Sequence, residues 1–264
     1  LIAAGHIWKF ITLAYIPPTI AGIVLAYRKK YLLGAIVTAL FIALQIQSNH
    51  VQMSYYFLFV ILFMVGAFFE EAWRKKELPH FFKASAILVV AALIGVSTNL
   101  SNLYHTYEYS KETMRGKSEL VHEGPKAEQT SSGLDRDYIT QWSYGIGETL
   151  SLFVPNVRGG ASVPLSENKA AMEKANPMYN GLYSQITQYF GDQPMTSGPV
   201  YVGAFVMALF ILGCFIVKGP MKWALLGATL FSILLSWGKN FMPLTDFFID
   251  YIPMYNKFRA VSSI

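Results

Sequence analysis

The stretch Met53-SYYFLFVILFMVGAF-Phe69, followed at once by Glu70-Glu71-Ala72-Trp73-Arg74-Lys75-Lys76, decides the fold. Its first 17 residues hold no charge, and a run of that kind cannot be solvated by lipid as bare backbone. It must close its hydrogen bonds on itself, as a helix. A hydrocarbon core about 30 Å thick takes roughly 20 residues, or about 17 at the short end. Working outward, the same composition recurs at Phe10–Tyr27, Tyr31–Gln47, Phe82–Thr98, Val200–Val217 and Lys222–Gly238, none with Asp, Glu, Lys or Arg near its centre. The expected fold is an all-α membrane protein, a polytopic bundle of about six spans.

Composition agrees. The 264 residues are 53% hydrophobic and only 14% charged, against about 25% charged in ordinary soluble domains. The formal charge of +5 sits largely in Arg28-Lys29-Lys30, Arg74-Lys75-Lys76 and the pair Lys218 and Lys222. Basic residues in short loops are retained on the cytoplasmic side, and placing all three clusters there creates no conflict. That excludes a nucleic-acid footprint. It also puts the Ser48–Gln52 turn, the long Asn99–Pro199 segment and the Lys239–Ile264 tail outside. The chain opens on Leu1 and is expected to be an internal fragment. Its single cysteine, Cys214, lies within a span.

The organisation reads as four parts. Residues 1–98 hold helices one to four, and residues 200–238 hold helices five and six. Residues 239–264 begin a further outer segment. Between them, residues 99–199 are too long for a structureless connection and form one long, partly helical extracytoplasmic segment. Within it, Ser101–Ser118 suits an amphipathic surface helix, and Glu123–Asp135 is a Gly-, Ser- and charge-rich excursion. Ile146–Phe153 is an apolar run stopping at Pro155-Asn156, and Arg158-Gly159-Gly160 marks a turn. Ser166–Ala175 reads as a short helix, and Tyr179–Pro199 as an aromatic, Gly/Pro-rich stretch at headgroup level. Pro17-Pro18 sits mid-span, where proline removes backbone donors and breaks or kinks the helix.

Intramembrane charge marks ion relays and coupled transport, so its absence argues against a pump. The polar chemistry is at the outer mouth. Gln45, Gln47, Asn49, His50 and Gln52 crowd the turn between spans two and three. They either hydrogen-bond a polyhydroxyl substrate or cap a helical hairpin. His6 and Lys9, one helical turn apart at the outer start of span one, either contact phosphate or, for Lys9, snorkel to the headgroups. Arg115 and Arg259 are of the type that binds phosphate bidentately. Glu148 stands alone in the apolar Ile146–Phe153 run and should face a partner or a cavity. No P-loop, HExxH, GxSxG or Cys/His metal spacing is present.

Several stretches together resemble one family. These are Gly5-His6-Ile7-Trp8-Lys9, Ser48-Asn49-His50-Val51-Gln52, Tyr107-Glu108-Tyr109-Ser110 with Met114-Arg115-Gly116, Leu152-Phe153-Val154-Pro155-Asn156, and Pro253-Met254-Tyr255-Asn256-Lys257-Phe258-Arg259. Their order and spacing are similar to those of the YfhO-like bacterial membrane proteins, which resemble the GT-C superfamily of polytopic glycosyltransferases. The resemblance implies a multi-pass protein of the bacterial cytoplasmic (inner) membrane. It would transfer a sugar from a polyprenyl-phosphate donor to a cell-envelope glycan acceptor on the outer face. It further implies that His50, Gln52, Arg115 and Arg259 contact the carrier phosphate or the sugar. In the superfamily pattern an external carboxylate serves as general base or metal ligand. It would lie before Leu1, so the catalytic residue is unknown here, and the only cofactor the pattern admits is a divalent metal. A carrier or flippase for a lipid-linked glycan, and a non-catalytic envelope-assembly protein, are the competing functions.

Overall fold

The computed structural model describes residues 7–113, 134–196, 198 and 200–259. They divide into two compact units: one with the helices up to residue 113 and residues 217–232, the other with residues from Asp135 to Ile216 and from Ile233 onward. His6, Arg115 and residues 123–133 of the predicted excursion lie outside the described residues.

The first unit is a helical bundle. It contains α1 (Ile7–Ala14), α2 (Ile16–Tyr27), α3 (Tyr31–Gln47), α4 (Val51–Lys75), α5 (Leu78–Ser97) and α6 (Leu100–Lys111). Pro17 and Pro18 supply no amide donors to the carbonyls one turn before them, and the helix breaks at Tyr15, where α2 restarts. The chain turns back three times through a residue with left-handed backbone: Lys29 (φ 68°), Asn49 (φ 54°) and Lys76 (φ 58°).

Packing between α2 and α3 is at backbone distance. A Cβ at Gly34 would lie 2.6 Å from the Ala26 nitrogen, and one at Gly95 on α5 would lie 2.7 Å from the Ala39 carbonyl oxygen. Small residues one turn apart allow this approach, which is how helices associate where lipid removes the hydrophobic drive between them. Around it, Ile23, Ala26, Tyr27, Phe81, Ala84 and Leu88 form a core. The Tyr27 ring stacks on Phe68 at 4.2 Å between centroids, and its hydroxyl shares a 2.8 Å hydrogen bond with Ser85.

The outward faces are greasy. Leu32 is 75% exposed, Leu93 64% and Phe215 81%, a surface that water does not tolerate and a bilayer does. Among the described residues, three helical stretches are long and apolar enough to cross a membrane: Ile7–Tyr27, Val51–Lys75 and Leu78–Ser97. A fourth is Pro220–Ser236 with Gly238–Tyr251, if that bent pair counts as one span. Tyr31–Gln47, at 17 residues, and Ala204–Ile216, at 13, are shorter. At 1.5 Å per residue they reach about 25 Å and 20 Å. The protein is therefore mostly helical, and three to four candidate spans mark it as a membrane protein; the shorter apolar helices do not by length alone bring the number to the six expected.

The second unit contains α7 (Arg136–Thr140), α8 (Lys169–Met172), α9 (Asn180–Tyr183), α10 (Ala204–Ile216) and α12 (Met242–Tyr251), with 3-10 turns at Gly147–Leu152, Gly238–Phe241 and Tyr255–Lys257. The intervening α11 (Pro220–Ser236) lies mostly in the first unit and contributes its last residues here. The unit also holds an antiparallel pair of strands, β1 (Gly159–Pro164) and β2 (Thr187–Tyr189). The chain is thus mostly, not wholly, helical, and the pair lies in the segment expected to be only partly helical. Asn156 (φ 60°) and Gly159 (φ 80°) turn the chain into β1, at the predicted Arg158-Gly159-Gly160 turn. The partner strand lies in the stretch expected at headgroup level.

Candidate functional site

The polar side chains of the second unit form two constellations. The first is built on Glu148, which is 1% exposed. The 3-10 turn carrying it points its carboxylate back at its own start, where Gly145 donates its N–H at 2.7 Å. The second oxygen accepts from the Tyr189 hydroxyl at the end of β2, and that hydroxyl accepts the Gln193 N–H at 3.0 Å. Both carboxylate oxygens are thus satisfied, as a buried charge requires. Burial raises the Tyr189 phenol well above its ordinary pKa, and donation to Glu148 adds to the rise. Tyr144 is raised for the same leading reason, with the Glu148 charge second. A Cβ at Gly191 would overlap both Glu148 Oε1 and the Tyr189 hydroxyl, and one at Gly145 would lie 2.5 Å from Asp192 Oδ2. Only glycine fits at 191.

The loop entering this turn is fastened to the end of α11 and the turn after it. Tyr144 N–H donates to the Ser236 carbonyl at 2.8 Å, Lys239 N–H to Ser143 Oγ at 2.8 Å, and Asn240 Nδ2 to the Tyr144 carbonyl at 3.0 Å. Trp237 Nε1 donates to Thr149 Oγ1 at 2.9 Å.

The second constellation is organised by α7. Asp135 caps it, accepting the Asp137 N–H at 2.8 Å. Arg136 grips two carboxylates one helical turn apart on α12, Asp246 and, at 2.6 Å, Asp250. Both carboxylates are partly open to solvent, with 41% and 44% of their side-chain surface exposed. One guanidinium cannot neutralise two carboxylates, so the group retains a negative charge. Tyr138, two residues along α7, receives a hydrogen bond from Arg259. The Arg259 guanidinium lies 4.6 Å from the Tyr138 ring centre and 5.6 Å from that of Trp142.

The remaining candidates belong to the first unit. Lys9 is half-buried on α1, and Gln52 lies in the first turn of α4. His50 is the N-cap residue of α4, with its Nδ1 buried. Gln45 is buried and donates to Ser54 Oγ at 3.3 Å. Asn49 takes the left-handed position of the turn, which asparagine adopts more readily than most residues. Of the predicted site residues, Lys9, His50 and Gln52 fall in the first unit and Glu148 and Arg259 in the second, where they sit in different constellations. Sequence reasoning missed Arg136, Asp246, Asp250, Tyr138, Trp142 and Tyr189. The Asp246/Asp250 spacing of four was the available signal, since it puts both carboxylates on one helical face.

Among the described residues no group of three or more His, Cys, Asp or Glu gathers to hold a metal ion. Comparison of the chain with family models, with characterised proteins and with solved structures finds no match in any of the three.

Proposed function

We propose that the chain is a glycosyltransferase-like protein of the bacterial inner membrane, transferring a sugar from a polyprenyl-phosphate donor to a cell-envelope acceptor on the outer face. In this reading the shorter apolar helices also cross, giving about six spans, and the segment from residue 99 to 199 is extracytoplasmic. The observation that supports it is the α7 constellation. Transfer from a phosphate carrier needs an acceptor for the incoming hydroxyl's proton and a cation at the departing phosphate. Asp246 and Asp250 offer partly exposed carboxylates with charge in excess of their cation, and Arg259 offers a guanidinium beside aromatic rings on which a sugar can pack. His50, Gln52, His6, Lys9 and Arg115 are the further substrate contacts of this reading.

The test measures envelope glycan in cells carrying Arg259→Ala or Asp246→Asn, with the amount of protein in the membrane followed alongside. Loss of glycan at normal abundance is expected. Unchanged glycan in both variants overturns the transferase reading and favours a non-catalytic role.

A carrier for a lipid-linked glycan is the second reading, favoured by the broken helix at Tyr15, since interrupted helices line transport sites. Glycan flipped across vesicles without any new glycosidic bond would decide for it.

A further inference from the structure

The first unit contains a cavity of about 580 Å³ that none of the predicted site residues lines. It opens where α2 ends, α4 ends and α5 begins, with Met221 of α11 completing it. Its wall is apolar and aromatic, from Val24, Tyr27, Phe68, Phe81 and Met221, and its rim is charged. Two rim carboxylates are already matched: Glu77 by Lys29 at 2.9 Å and Glu71 by Lys75 at 2.6 Å. Arg28, on the same rim, has no carboxylate partner among the described residues. The rim therefore carries one cation in excess, above an apolar interior, at the end of the bundle where the basic clusters lie.

We infer that this cavity binds one anionic phospholipid, with the headgroup phosphate on Arg28 and an acyl chain along Tyr27, Phe68 and Met221. The amphiphilic lining selects the class. A free anion would leave the aromatic wall exposed, and a neutral lipid would leave the excess charge of Arg28 unanswered. Basic pockets between membrane helices hold acidic headgroups by this chemistry. Arginine suits it because its planar fork meets two phosphate oxygens at once. The inference stands independently of the transferase reading.

The experiment uses the purified chain in neutral detergent micelles, with phosphatidylglycerol, phosphatidylcholine or inorganic phosphate added and thermal unfolding and bound lipid by native mass spectrometry as readouts. Phosphatidylglycerol should raise the unfolding temperature and remain bound, and the other two should not. Arg28→Gln should weaken that binding about fivefold, the factor for one juxtamembrane cation. Arg28→Lys should retain part of it, and Arg158→Gln in the other unit should change nothing. Equal retention of phosphatidylcholine, an equal shift with inorganic phosphate, or full phosphatidylglycerol binding by Arg28→Gln would each overturn the assignment.

Discussion

Gly22 and Thr38 face each other across α2 and α3 with no room for a side chain between them: a Cβ at Gly22 would lie 2.5 Å from Thr38 Oγ1 and 2.7 Å from its nitrogen. The two helices touch through backbone, so bulk introduced here separates them along their length. Gly22→Val should destabilise the bundle by at least about 1–3 kcal/mol, the range for overpacking a filled interior. Gly66→Val should not, because nothing lies within 4 Å of a Cβ there. Thermal unfolding of the detergent-solubilised variants compares them.

The Tyr189–Glu148 contact predicts a pH dependence. Burial raises the phenol's pKa in the folded state above its ordinary 10.0, so the folded state holds that proton more tightly than the unfolded chain. The resulting stability is complete below pH 10 and is lost as pH rises beyond it. Tyr189→Phe should remove this alkaline loss. At pH 7 it should be less stable than the parent by about 1–3 kcal/mol, because Glu148 is left short of a donor in a buried place. Unfolding curves from pH 7 to 11 test both statements.

Lys76 ends α4 with φ 58°, a backbone that costs a residue with a Cβ roughly 1–2 kcal/mol. Lys76→Gly should therefore stabilise the α4–α5 turn by up to about 1 kcal/mol, as glycine does after a helix end. Lys29→Gly has the same backbone benefit but loses the 2.9 Å pair with Glu77, an exposed contact worth little. A small gain is expected there too. Denaturation midpoints would show it.

Arg136 is more than half buried and serves two carboxylates. Arg136→Ala should leave Asp246 and Asp250 repelling each other and loosen α7 from α12. Adding Asp246→Asn and Asp250→Asn should restore much of the lost stability. A mutant cycle that treats Asp246→Asn with Asp250→Asn as one change isolates the coupling, read as protease resistance of the second unit.

The sequence disclosed some of this and hid the rest, for physical reasons. Greasy runs and basic clusters are one-dimensional signals, so the spans at Ile7–Tyr27, Val51–Lys75 and Leu78–Ser97 were legible, as was the break before Pro17-Pro18. The small residues that set the α2–α3 contact, Gly22 and Ala26 on one helix and Gly34 and Thr38 on the other, are spaced by four within each pair and were readable but went unread. Span length was overestimated at Val200–Val217 because apolar character continues beyond the helix, whose first residue is Ala204. Strand β2 escaped notice because three residues carry no period. Glu148 stood out as a carboxylate in an apolar run, and it is buried. Its partner Tyr189 is 41 residues away, and Arg136 is 110 from Asp246. Such pairings are set by the tertiary fold and leave no local mark.

The proposal most open to a direct test is that greasy helices cross a bilayer with the Arg28–Lys30 turn on the cytoplasmic side and the segment from residue 99 to 199 outside. Single cysteines at Lys30 and Glu167, both exposed, placed in a Cys214→Ser background, test it with a membrane-impermeant maleimide added to intact spheroplasts. The account predicts labelling at position 167 and none at position 30 until the membrane is opened. Labelling at position 30 from outside, with position 167 protected, would contradict it.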